Sequence, residues 1–292
     1  MCLGVFMARI DWNTREVTAP DGARLAVFVH EPAGLAPDAT TIVMAHGWTL
    51  DHRSWEPVAE RLAAEGGRRI VAWDQRGHGG SSVAGGARRG GEASVHALGD
   101  DLALVIEKAV PAGSPIILAG HSMGGMTIMA FAGMHPDVVR ERVTSVVLVA
   151  TSAGQLRGLR IPGEALAMRA LSHIPWRPGV FATTRSQRIA FGQDARKEDV
   201  IAARAQMRGT RLSTTGSYYK ALMAHDELAA LESLKDTPVT ILVGTRDMLT
   251  PPRHAKALAE ALPDADAQFL EGKGHMLTYE APDEVAAAIL RS

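Results

Sequence analysis

The stretch "ILAGHSMGGMTIMAF", Ile117 to Phe131, opens as an apolar strand-like run and closes as a helix-compatible one. At the junction, Gly120-His121-Ser122-Met123-Gly124 sets a serine with a glycine two residues to either side, and Gly125 adds another. G-x-S-x-G alone is a weak pattern, because both residue types are common. A strand directly before it and a helix directly after it give it meaning. A strand that turns at once into a helix forces the corner residue into a strained backbone conformation. Neighbouring chain then comes so close that side chains two residues away must be small. The corner lifts the Ser122 hydroxyl clear of the sheet. The helix N-terminus beneath supplies free N–H groups and positive potential for a developing oxyanion. An ordinary N-cap serine on a tight turn carries the same letters.

A serine hydroxyl needs a base to be nucleophilic near neutral pH, and the base needs an orienting carboxylate. In a strand-helix series both belong in loops after later strands. "ILVGTRDMLTP" places Asp247 just past an apolar strand, with Pro251 opening the next helix. "QFLEGKGHMLTYEAP" places His275 in the loop after the final strand. The order Ser122, Asp247, His275 and the three loop positions agree with one another. Taken singly, Asp247 also reads as a solvated helix cap and His275 as a loop histidine. The end of the preceding strand, "VVLVATSAG", offers Thr151 and Ser152 and no carboxylate. Asp226 lies in an inserted segment, and Asp236 precedes its strand, so both are poorer candidates.

Outward from these loops, short β-branched runs alternate with amphipathic segments, the pattern of an α/β protein with helices packed on a mostly parallel sheet. "RLAVFVHE" follows the turn "PDG" and reads as an early antiparallel strand. "TTIVMAHG", "RRIVAWD", "SPIILAG", "RVTSVVLVA", "TPVTILVG" and "AQFLEG" read as further strands. "SWEPVAERLAAEG", "VHALGDDLALVIEKAV", "PPRHAKALAEALP" and "PDEVAAAILR" read as helices. Asp100 and Asp101 fall on the expected polar side of the second of these, where they read as solvated charges. Between about Gln155 and Thr237 no strand is convincing. Pro162, Pro175 and Pro178 interrupt a helical pattern that carries Trp176, Phe181, Phe191, Tyr218 and Tyr219. The expected organisation is a core of residues 1–154 and 238–292 with a helical cap, 155–237, inserted between its halves.

The chain resembles the α/β-hydrolase superfamily, of the capped serine esterase, cofactor-free haloperoxidase-like and C–C hydrolase kind. The resemblance runs from about Val17 to Leu290. It rests on "MAHGW", "WDQRGHGGSS", "GHSMGG", "GTRDMLTP" and "GKGHMLTYEAPDEV". It implies an eight-stranded, mostly parallel sheet flanked by helices, with the cap after the sixth strand. It also implies an oxyanion hole built from the backbone N–H groups of Trp48 and Met123. Gly47, Trp48 and Met123 would line the substrate site. Asp74, Arg76 and His78 would brace a loop near the sheet, His46 would be structural, and His121 would pack under the corner. Met123, Met126 and Met129 read as core or pocket wall, since methionine fills irregular gaps.

Composition narrows the remaining possibilities. With 46% apolar and 22% charged residues, the 292-residue chain is an ordinary globular protein. A net charge of -1 gives no reason to expect nucleic acid or an anionic membrane as partner. The pairs Arg68-Arg69 and Arg88-Arg89 read as solvated loop charges. The single cysteine, Cys2, makes no internal disulfide, and no apolar run approaches the ~20 residues that span a bilayer. The opening "MCLGVFMARI" lacks the parts of a signal peptide. It reads as a loose extension, with Met1 or Met7 as the start. The expected location is the cytoplasm, as monomer or homodimer. There is no H-E-x-x-H, no cysteine pair and no G-x-G-x-x-G, so neither metal nor dinucleotide cofactor is expected.

The expected reaction is hydrolysis of a carboxylic ester of a small, largely apolar substrate. Perhydrolase, lactonase, thioesterase and C–C hydrolase chemistry share these residues, and a receptor on the same fold would keep them without turnover. Aspartate stands at the nucleophile position in epoxide hydrolases and dehalogenases of the superfamily, so those chemistries are disfavoured. Arg157, Arg160, Arg185 and Arg188 read as exposed charges of the cap.

Overall fold

The computed structural model describes residues 10–83, 93–157, 162–177 and 188–291. Met1, Cys2, Met7, Arg88, Arg89, Arg160, Pro178, Phe181 and Arg185 lie outside them. Eight strands form one sheet: β1 Asn13–Thr18, β2 Arg24–His30, β3 Thr41–Ala45, β4 Arg69–Trp73, β5 Ile116–His121, β6 Val143–Val149, β7 Val239–Gly244 and β8 Asp266–Leu270. Their spatial order is β1-β2-β4-β3-β5-β6-β7-β8. β2 pairs antiparallel with both β1 and β4, and every other pairing is parallel.

The central strands β3, β4 and β5 are buried at every residue. That explains why they read as unbroken apolar runs, since helices cover both faces of such a sheet. Alternate side chains feed two cores. Val43 packs with the helices α2 (Val95–Ala109) and α3 (Met123–Met134), while Ile42 and Met44 pack with α1 (Glu56–Glu65). A short helix α4, Pro136–Arg142, follows α3. Edge strand β1, "NTREVT", buries only Val17 and has no apolar period, so its strand character comes from pairing with β2.

The chain between β6 and β7 carries the helices α5 (Glu164–Leu171), α6 (Lys197–Gly209) and α7 (Leu212–Ala224), and no named strand among the described residues. One isolated bridge, Gly154 to Asp226, closes its base. Phe191 and Tyr218 are buried within it, whereas Trp176 is 75% exposed and lies out of reach of any core. After β7 come α8 (Pro252–Ala261), α9 (Leu277–Glu280) and α10 (Pro282–Arg291). Among the described residues no helix is long and apolar enough to cross a membrane.

Two charges depart from the expected solvation. Asp101 is buried on α2, and the Arg76 guanidinium donates to both its oxygens at 2.6 Å. Its neighbour Asp100 stays exposed against His135. Arg69 starts β4 and is buried, donating to Glu31 at 2.7 Å. In both cases a tertiary partner offsets the desolvation that helical or loop position alone would leave uncompensated.

Candidate active site

Ser122 has φ 53° and ψ -117°, a backbone conformation that costs of order 1–3 kcal/mol for a residue with a side chain. Close approach explains its glycines. A Cβ at Gly120 would lie 2.6 Å from Gly124 backbone, and one at Gly125 would lie 2.6 Å from Thr151 Oγ1. From Ile116 through Ala132 every residue is buried except Ser122, which is partly exposed. The corner therefore presents one hydroxyl-bearing residue out of a closed core. The Thr151 hydroxyl donates to Ser122 O at 2.7 Å, and the Ser122 N–H donates to Val149 O at 2.9 Å. These bonds fix the corner to the end of β6.

Asp247 follows β7 and His275 follows β8, and both are buried. His275 Nδ1 donates to Asp247 Oδ2 at 2.8 Å, which leaves Nε2 as the basic nitrogen. The other carboxylate oxygen accepts from the amides of Leu249 and Thr250 at 2.8 and 2.9 Å. Burial pushes the Asp247 carboxyl upward, but the His275 charge and hydrogen bond, with those from Thr250, outweigh it and hold it below the usual carboxylate range. Thr250, which the sequence reading passed over, belongs to the Asp247 loop and faces His275. Its hydroxyl is 2.8 Å from Asp247 Oδ2, 2.8 Å from Ala150 O and 3.2 Å from His275 Nδ1. Ala150 and Thr151, at the end of β6, thus link the acid loop to the serine corner.

His121 lies beneath. Its Nε2 donates to His275 O at 2.9 Å, so Nδ1 is the unprotonated nitrogen. That nitrogen has no partner and faces Gly47, where a Cβ would lie 2.9 Å from it and 3.3 Å from Ser122 Cβ. Burial first, and then the nearby His275, push the His121 imidazole down to about 3, so it is neutral at pH 7. Gly47 thereby brings its own loop against Ser122. Among the described residues, the amides of Trp48 and Met123 donate to no main-chain or side-chain acceptor. Met123 is the first residue of α3, where an amide has no intrahelical partner.

A buried network holds this loop to α3. His46 Nε2 accepts from the Gln75 amide at 2.9 Å, so its Nδ1 donates to Gly47 O at 2.8 Å. Gln75 Nε2 donates to His46 O, and Gln75 Oε1 lies 2.7 Å from the Thr127 hydroxyl. Asp74 accepts from the His52 amide at 2.8 Å and the Gly80 amide at 2.7 Å, and Arg76 reaches Asp101 and Asp21. Asp51, His52 and Asp74 bring ligand-type atoms within 4.8 Å of one another. Asp51 is already held by Arg53, and Asp74 by His52 and Gly80, so this group reads as a loop brace. A cavity of about 1280 Å³ lies between the start of α2 and the helices α5 and α7, and none of Ser122, Asp247 and His275 lines it.

A serine on a strained strand-to-helix turn within this sheet order defines an α/β hydrolase, and the protein is an α/β-fold serine hydrolase. The chain belongs to the serine aminopeptidase S33 family, whose model matches residues 36–282. It is 27% identical to an sn-1-specific diacylglycerol lipase of Mus musculus, over 86% of this chain and 81% of the relative. It is 28% identical to the pimeloyl-[acyl-carrier protein] methyl ester esterase of Chromobacterium violaceum, over 80% and 85%. Among solved structures, the enol-lactonase of Burkholderia xenovorans LB400 superposes with a TM-score of 0.76 at 21% identity, covering 96% of this chain and 98% of the other. A thermophilic esterase of Thermogutta terrifontis gives 0.74 at 23%, covering 96% and 97%. At these identities the two structures establish a shared fold.

Proposed function

We propose that the protein hydrolyses a carboxylic ester of a small, largely apolar substrate through an acyl-enzyme. Ser122 Oγ attacks the ester carbonyl while His275 Nε2 takes its proton. The Trp48 and Met123 amides receive the oxyanion. The imidazolium returns the proton to the departing alcohol. Water, deprotonated by the same nitrogen, then releases the acid and restores Ser122. Asp247 holds the imidazole tautomer and stabilises its charged form.

The strained backbone of Ser122, the one accessible residue in a buried corner, is the observation that carries this reading. Strain of that kind persists where surrounding structure imposes it, and here it aims a hydroxyl. The Asp247–His275 bond supports it, and two relatives act on ester bonds by their names. Partly buried Trp48, Leu156 and Met223 beside the core, and Tyr219 packed 6.2 Å from Trp48, suit an apolar acyl or alcohol group under a cap formed by residues 155–237.

Hydrolysis of short p-nitrophenyl esters tests this directly. Ser122→Ala should lower kcat by at least about 10³-fold, and a fluorophosphonate should label the wild type and not the variant. A variant that turns over at the wild-type rate would exclude the mechanism.

A further inference from the structure

The turn that carries the Trp48 amide has a strained member of its own. Leu50 N donates to Gly47 O at 3.2 Å, closing a four-residue turn with Trp48 and Thr49 at its centre. Thr49 has φ 65°. A positive φ at that position is ordinarily taken by glycine or asparagine, and a β-branched residue resists it. Within the turn, the Thr49 hydroxyl donates to Trp48 O at 2.6 Å. Something outside the turn must hold the rest.

That support comes from α6, in the segment inserted between β6 and β7. The Thr210 hydroxyl, one residue past α6, donates to Thr49 O at 3.0 Å. The carboxamide of Gln206, one turn earlier, accepts from the Asp51 amide at 3.2 Å. Its Nε2 donates to the Tyr279 hydroxyl at 2.6 Å. Tyr279 sits on α9, four residues beyond His275. Gln206, Thr210 and Tyr279 are all buried. Beside them a small separate core joins Leu50 of the turn and Met276 of the histidine loop to Val200 and Ala203 of α6. The Ala190 carbonyl, also in the inserted segment, accepts from the amides of His275 and Met276 at 2.8 and 3.2 Å.

We propose that Gln206 and Thr210 are positioning residues that fix the Trp48 turn and register it against the histidine loop. The inserted segment then completes the oxyanion site from outside the core, in addition to covering it. This rests on the reading of the Trp48 amide as an oxyanion donor. A donor must stand within about 0.5 Å and 10–20° of its productive geometry to act. Neither side chain is placed to touch the reacting atoms; each acts through the turn.

The test compares Thr210→Val, which is isosteric and has no hydroxyl, with Thr210→Ser, which keeps one, and Gln206→Met with the wild type. For p-nitrophenyl butyrate, Thr210→Val and Gln206→Met should each lower kcat about 5- to 50-fold, below the 10²–10³ seen when an oxyanion donor is removed outright. KM should stay within about twofold, because a misplaced oxyanion donor is felt in the transition state. Thr210→Ser should recover most of the loss. A trifluoromethyl ketone, which forms an oxyanion adduct, should weaken in parallel with kcat/KM. Should Thr210→Val fold poorly by circular dichroism, Thr210→Ala against Thr210→Ser gives the same comparison. Folded variants with wild-type kcat, or with reduced kcat and undiminished ketone affinity, would overturn the inference. Ser122→Ala separates the two levels. If it is inactive while the α6 variants are fully active, only this inference fails; if it is active, the underlying mechanism fails.

Discussion

The α-carbon of Gly124 faces the carbonyl oxygen of Ala45, and a Cβ there would lie far inside van der Waals contact with it and 2.9 Å from His46 O. Both obstacles are backbone, at the end of β3 in the middle of the sheet, so neither can rotate away. Overpacking against movable side chains costs about 1–3 kcal/mol, and here the cost should be larger. Gly124→Ala should lose at least about 3 kcal/mol in urea unfolding or fail to accumulate as soluble protein. Gly209→Ala is the matched control. Nothing lies within 4 Å of its would-be Cβ, so it should be neutral or gain about 0.5–1 kcal/mol. Equal stabilities for the two variants would show that the corner is not close-packed.

Asp247 and His275 meet through one carboxylate oxygen, while the other is held by two amides of its own loop. Asparagine can keep its carbonyl toward those amides, but its NH₂ then confronts His275 Nδ1. The imidazole must take the other tautomer, with the proton on Nε2 where a base needs a lone pair. Asp247→Asn should therefore lower kcat by about 10³–10⁴-fold with a modest change in stability. Measuring ester turnover and unfolding on the same preparation separates the two effects. A large loss of stability with little loss of kcat would mean that Asp247 is only a loop brace.

Much of this candidate site was legible because strand ends and loops announce themselves locally. Ser122 stands directly past β5, Asp247 three residues past β7 and His275 five past β8, and the parallel strands carry these loops to one edge. There Asp247 bonds to His275, while no hydrogen bond joins Ser122 to His275 among the described residues. The buried central strands were legible for the same reason. β1 was not: "NTREVT" has no apolar period, and only its pairing with β2 makes it a strand. Asp101 was misread because a carboxylate at that place looks solvated until Arg76, 25 residues away, is seen to reach it. Gln206 and Thr210 gave no signal, since a threonine or glutamine acquires its role from the loop it happens to face. The "DMLTP" stretch held the one available hint, a hydroxyl three residues past the acid.

Arg76 and Asp101 form a buried bidentate pair, with Asp21 on the guanidinium's remaining nitrogen. Burial raises the Asp101 carboxyl even with Arg76 beside it, while the two carboxylates raise the guanidinium. Removing one partner leaves the other charge buried and unpaired, which costs about 3–5 kcal/mol. Arg76→Met should be destabilised by that order. Asp101→Leu in the same chain should restore part of the loss, because two apolar side chains leave no orphan charge. Urea unfolding of the single and double variants reads the difference. A double variant less stable than Arg76→Met would show that the pair itself stabilises the fold.

His78 is wholly buried, packed 5.3 Å from the His46 ring and 5.1 Å from that of Tyr218. Its Nδ1 donates to Arg76 O at 3.2 Å, and its Nε2 has no partner. Burial, reinforced by His46, pushes the imidazole down to about 3. In the unfolded chain the same ring titrates near 6.5. Between those values the unfolded state binds a proton that the folded state refuses. His78 therefore favours folding fully above about pH 6.5. That contribution is lost as pH falls toward its folded value, at about 1.4 kcal/mol per pH unit. His121 and His254, pushed down to about 3 and about 4 mainly by burial, act in the same direction and steepen the slope. His78→Asn keeps a donor toward Arg76 O and removes the titrating ring. Urea unfolding at pH 7, 6 and 5 should show stability falling with pH in both proteins, with the variant taking up about one proton fewer on unfolding. Parallel slopes for the two would mean that His78 is protonated in the fold, and that its buried nitrogen finds a partner after all.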